Sequence, residues 1–121
     1  MGDRANFVFE QENGDRIFLY GHHAGWEMMD RLANAIKAAQ PRWHDESYAT
    51  RIAISSLVGN AWDQEMGWGI STYLTDNEHS IPVVNWSNET VTLYDSNLDA
   101  IKFVMPLGSF VAKFDKNLAY V

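Results

Sequence analysis

The apolar residues of this chain change period twice, and those changes decide which elements it can build. From Asn6 to Tyr20 the pattern is that of extended strands, from Trp26 to Ala61 it is helical, and from Ile70 to Met105 it returns to strands. A strand repeats its buried side every second residue and a helix every third or fourth, so neither pattern can serve as the other without exposing apolar surface. Residues 6–11 and 16–20 are rich in Phe, Ile and Val and flank Glu12-Asn13-Gly14-Asp15. Asn-Gly suits the two positive-φ positions of a type I′ turn, which predicts a β-hairpin. On its strands Phe7 and Phe9 share one face and Ile17 and Leu19 share one, giving a side on which helices can pack.

After Tyr20 the segment Gly21-His22-His23-Ala24-Gly25 breaks the strand, and Trp26, Met29, Leu32, Ala33 and Ile36 recur at helical spacing. Pro41 ends that helix, because the residue before a proline avoids the α region. A second helix carries Ile54, Leu57, Val58 and Ala61, with Asp45 or Ser47 as its cap and a stop between Gly59 and Trp62. Strands are expected over 70–74, 81–86, 90–94 and 100–105, separated by turns rich in Asp, Asn and Ser. Val84 with Trp86 and Val91 with Leu93 suit a hairpin around Ser87-Asn88, and Val111, Phe114 and Leu118 suit a short final helix. The order β-β-α-α-β-β-β-β predicts an α+β fold. It is a single domain over residues 1–121, with a mainly antiparallel sheet of five to six strands and two helices on one face.

With 121 residues, 46% hydrophobic and 13% aromatic, the chain can build one core and not two. It has no cysteine, so disulfides, thiolate metal sites and cysteine nucleophiles are excluded. The start Met1-Gly2-Asp3-Arg4-Ala5-Asn6 lacks the apolar stretch of a secretory signal, and no apolar run approaches the roughly 20 residues that cross a bilayer. The expectation is a cytoplasmic protein with no membrane partner. A formal charge of −7 repels phosphate backbones, which argues against broad nucleic-acid binding. The same charge suits a basic protein partner, although its plainer use is solubility.

The polar residues gather in a few loops. Gly21-His22-His23-Ala24-Gly25-Trp26 places two glycines and two imidazoles at an expected helix start, where free backbone N–H groups and the helix dipole favour a phosphate or carboxylate. The spacing is not that of a P-loop, and glycines at such a turn often serve the turn alone. Neighbouring histidines on an extended backbone point apart, so His22 and His23 are not expected to share a metal. Asp76-Asn77-Glu78-His79 and His44-Asp45 offer ligand types suited to zinc or manganese, without a recognisable ligand spacing. No metal and no cofactor is therefore assigned. No serine stands in a G-x-S-x-G elbow, and Ser55-Ser56 falls inside the second helix. Trp26, Trp43 and Trp68 fall at element ends, with Arg42 and Arg51 nearby in sequence, so a nucleotide could stack there. The plainer reading makes Trp62 and Trp86 core and the other three clamps between helix and sheet. Arg4 and Asn6 are expected to pair with Asp45 or Asp76 in a structural role.

The opening Gly2-Asp3-Arg4-Ala5-Asn6, the strand end Leu19-Tyr20-Gly21-His22, Arg42-Trp43-His44-Asp45 with Tyr48 and Arg51, and residues 69–79 around Thr75-Asp76-Asn77-Glu78-His79 form a pattern. It resembles a group of small uncharacterised proteins of bacteriophages and some bacteria, over about the first two thirds of the chain. The resemblance implies a phage or prophage setting, hence the host cytoplasm, and action by binding host factors; it implies no activity, cofactor or catalytic residue. Two functions follow from the residues. One is a non-enzymatic binding protein for a host protein or a small anionic ligand, with Gly21, His22, His23, Gly25, Trp26, Arg42, Trp43, Asp76, Asn77, Glu78 and His79 as candidate contacts. The other is a metal- or His-dependent enzyme acting on a nucleotide or other phosphorylated compound, with His22, His23, Asp76, Glu78 and His79 converging at one sheet end. A structural or oligomerising protein is a third reading, and the oligomeric state is left open.

Overall fold

Six strands lie side by side in the order β3-β2-β1-β4-β5-β6 in the computed structural model, which describes residues 2–115. They are β1 (Ala5–Glu10), β2 (Arg16–Gly21), β3 (Trp68–Ser71), β4 (Ile81–Asn85), β5 (Thr90–Tyr94) and β6 (Ile101–Pro106). Three helices complete the α+β fold: α1 (Met28–Ala38), α2 (Glu46–Val58) and α3 (Leu107–Phe114). All neighbouring strands are antiparallel except β1 and β4, which run parallel with Val8 opposite Val83. That ladder begins at Val83, one residue after Pro82.

β1 is the central strand, and the sequence Ala-Asn-Phe-Val-Phe is buried on both sides as a central strand must be. Phe7, Phe9 and Leu19 face the helices, joined by Val84, Trp86 and Val91 from the other half of the sheet. Helix α1 supplies Met28, Leu32, Ala35 and Ile36, and α2 supplies Ala53, Ile54, Leu57 and Val58. On the opposite face Val8, Phe18, Ile81 and Val83 form a smaller cluster under Leu74, Tyr94 and Leu98. The expected face assignment of the first hairpin therefore holds. Helix α3 packs on α1 and stacks Phe114 on Phe103 of β6, so three helices and not two cover the sheet; Leu118, expected in that helix, lies outside the described residues.

Several local expectations are corrected. The first hairpin does not turn through type I′, because only Gly14 has positive φ (+92°). Gly14 donates its N–H to the carbonyl of Gln11 and Asn13 Oδ1 accepts from the N–H of Asp15, so a four-residue turn closes on one left-handed glycine. Helix α1 starts at Met28, two residues after Trp26, since Glu27 stands at φ +52° and interrupts the helical path. Asp45 precedes α2 without capping it by its side chain, which accepts from Ser47 instead. Trp62 is 60% exposed and is no core residue, whereas Trp86 is buried with Nε1 donating to Thr50 Oγ1 at 3.0 Å. Strand β3 spans 68–71 rather than 70–74, because Ser71 Oγ donates to the carbonyl of Tyr73 and the chain leaves the sheet there. No helix among the described residues is long and apolar enough to cross a membrane.

Candidate functional site

Polar side chains gather in three groups, two where strands of the sheet end and one at the corner between α1 and α2. The first surrounds the arm that leads into β1. Asp3 donates its N–H to the carbonyl of His22, Gly25 donates to the carbonyl of Asp3, and Asp3 forms an isolated parallel bridge with His23. On its other side the arm meets the loop before β4. Glu78 Oε1 accepts from the backbone N–H of Arg4 at 2.9 Å and from its Nε at 3.1 Å, while Arg4 Nη1 lies 3.6 Å from Asp76 Oδ2. Asn6 Nδ2 donates to the carbonyl of Asp76 and to Asn77 Oδ1, and His79 Nε2 contacts Asp3 Oδ1. Arg4 and Asn6 thus pair with the Asp76 loop, and Asp45 pairs with Arg42 instead. The backbone and side-chain donors of Arg4 hold the Glu78 carboxyl below its ordinary range, and that same contact raises the guanidinium of Arg4.

Gly25 is needed here for close approach. A methyl group on it would collide with Nε2 of His79 and Oδ1 of Asp3. Its N–H donates to the carbonyl of Asp3, so at Gly25 the turn is closed by the arm, while His22 and His23 of the same turn face a cleft. Trp26 projects outward, 73% exposed.

The second group is a cleft of about 660 Å³ where β2 and β3 end beneath α1. Tyr20, His22, His23, Arg31, Gln64 and Trp68 line it, with Met66, Gly67 and Gly69 along the entry to β3. Tyr20 Oη and His22 Nδ1 are 2.8 Å apart: the phenol donates to a neutral ring, or an imidazolium donates to the phenol oxygen. The rings of His22 and His23 meet edge to face at a centroid separation of 4.7 Å. This corrects the expectation that they diverge, because β2 ends at Gly21 and His23 turns to bridge Asp3, so the pair no longer alternates as a strand does. The guanidinium of Arg31 lies over the ring of Trp68 at 5.7 Å. No carboxylate lines this cleft.

A second cleft of similar volume lies beyond Tyr20 and Gly69 and includes Ser71, Tyr73 and Asp76. Tyr20 therefore stands between His22 and Asp76, which occupy adjacent clefts, and Glu78 and His79 line neither. The third group lies at the α1–α2 corner. Trp43 donates Nε1 to the carbonyl of Ile36, and Arg42 sits 4.7 Å over the ring of Tyr48 and 3.9 Å from Asp45. Both residues are engaged in holding that corner. Among the described residues no three His, Cys, Asp or Glu side chains are placed to hold a metal together.

No family model, curated protein or solved structure matches the chain. The functional reading therefore rests on its own residues, among which Arg31, Gln64 and Tyr20 escaped the sequence analysis. Arg31 had a signal: a side chain in the first turn of a helix leans toward its N-terminus, here toward the histidine turn. Gln64 had none, because only the folding of residues 59–67 against β2 brings it near.

Proposed function

We propose that the protein is a non-enzymatic binding protein whose cleft at Tyr20, His22, His23 and Arg31 holds a small anion. The observation that carries the reading is the lining: a guanidinium, two imidazoles and an amide with no carboxylate, in a chain of net charge −7. Arg31 offers a planar fork of donors to a carboxylate or phosphate, and the imidazole rings of His22 and His23 stand beside it as further N–H donors. In an acidic molecule such a cleft is where the general repulsion of anions is locally reversed. If the resemblance to phage proteins reflects origin, anion capture or engagement of a host protein would be its means of modulating a host process.

Titration with inorganic phosphate and with AMP, followed by Trp fluorescence and calorimetry at low salt, tests this. Saturable binding is expected, weakened roughly tenfold to a hundredfold in Arg31→Gln, the range expected for losing a charge-assisted hydrogen bond. No saturable binding at millimolar ligand would sink the proposal. The Tyr20–His22 contact favours one second reading, a His-dependent enzyme in which that pair moves a proton on a bound phosphate ester. Product release from AMP that disappears in His22→Gln would select it over simple binding.

A further inference from the structure

Trp68 walls two compartments at once. On one side is the cleft of Arg31, His22 and His23; on the other is a cavity of about 190 Å³ lined by Leu19, Val58, Trp62, Trp68 and Ile70. The second cavity has no charged side chain, and Ala61, Gln64, Trp68 and Gly69 border both, so the two adjoin along a shared wall. Trp62 and Ile70 are 60% and 58% exposed, and Trp62 takes no part in the core. Large apolar side chains left open beside a cationic site are a cost in water unless something covers them.

We infer that the occupant is an amphipathic carboxylate, with its acid head at Arg31 and its apolar body against Trp68, Trp62 and Ile70. A bare oxyanion would use only the first compartment and leave the second unexplained. A purely apolar molecule would have no use for Arg31. The small volume of the apolar side fits a short chain or single ring rather than a protein surface. This inference rests on the anion-binding reading above and narrows it to one ligand class.

The test is a homologous series, acetate, butanoate, hexanoate and octanoate, titrated calorimetrically into the full-length protein below micellar concentrations, with inorganic phosphate in parallel. Each added methylene should tighten Kd roughly fourfold, the ratio that about 0.8 kcal/mol per buried CH₂ corresponds to, until the compartment is full. Trp62→Ala should flatten the series while leaving acetate unchanged, and Arg31→Gln should weaken all members by a common factor. Lys102→Gln, on the far sheet edge, should change nothing. Circular dichroism checks each fold, and Ile70→Thr replaces Trp62→Ala should the latter unfold. A flat series with Arg31-dependent binding of acetate or phosphate overturns the amphipathic ligand and leaves the anion site standing. No binding by any member or by phosphate overturns both. Chain-length dependence that survives Trp62→Ala, or that ignores Arg31, means adsorption elsewhere and overturns the inference.

Discussion

Arg4 and Glu78 are 74 positions apart, yet one carboxylate oxygen of Glu78 takes two donors from Arg4, and this holds the arm to the loop before β4. Because those donors depress the Glu78 pKa in the fold, the contact contributes stability above the ordinary glutamate value of about 4.3 and loses it as pH falls below that value. Asp95 behaves in the same direction, its carboxylate accepting from the backbone N–H groups of Asp99 and Asn97. Glu78→Gln should therefore show a shallower loss of thermal stability than the parent between about pH 6 and pH 3, followed by circular dichroism. The difference will be small and salt-sensitive, since Glu78 is exposed, and identical slopes at low salt would refute the assignment. Residue type and position at a strand end were enough to suggest Arg4 with Asp76. Glu78 as its main partner was not legible, because only the parallel pairing of β4 with β1 fixes which carboxylate of that loop faces the arm. The histidines illustrate the opposite error: strand alternation does not extend to His22 and His23, because β2 ends at Gly21.

Among the elements, α2 is joined to the turn that follows β4 by the buried hydrogen bond from Trp86 to Thr50. Thr50→Val keeps the shape of the side chain but leaves the indole N–H without an acceptor in an apolar layer. A loss of about 1–3 kcal/mol in urea unfolding is expected, with little change in the m-value; an unaltered midpoint would mean that the indole finds another acceptor. The elements themselves were largely legible. Hydrophobic period marks six strands and both long helices, since burial on one or two sides is written into which residues repeat. Their ends were less so. Trp26 and Trp62 match the helical spacing yet both stand in solvent, because Glu27 at positive φ and the short 3₁₀ turn at Gly59–Ala61 redirect the chain on either side of the helical layer. Trp62 thereby moves from an expected core position to the rim of a cavity.

For the whole molecule, the sheet order is the feature that no local pattern contained. A hairpin announces its own pairing through its turn, whereas β1 and β4 are joined by a seam whose partners, such as Val8 and Val83, are distant in sequence and carry no mutual signature. The cleft depends on that long-range arrangement too, drawing Tyr20 from β2, Arg31 from α1 and Trp68 from β3. The seam also divides the sheet without interleaving: β3, β2 and β1 lie on one side of it and β4, β5 and β6 on the other. A chain severed in the exposed stretch around Tyr73 would yield two three-stranded pieces, the first carrying α1 and α2 and the second α3. Each piece would present one unsatisfied strand to the other, and the Arg4–Glu78 and Asn6–Asp76 contacts would re-form across the cut. Co-expressed halves should co-purify and regain the circular dichroism of the intact protein, and Val83→Pro, which removes an N–H from the first position of the seam, should abolish their reunion. The domain is in this sense a natural split reporter, with the cleft residues all on its first fragment.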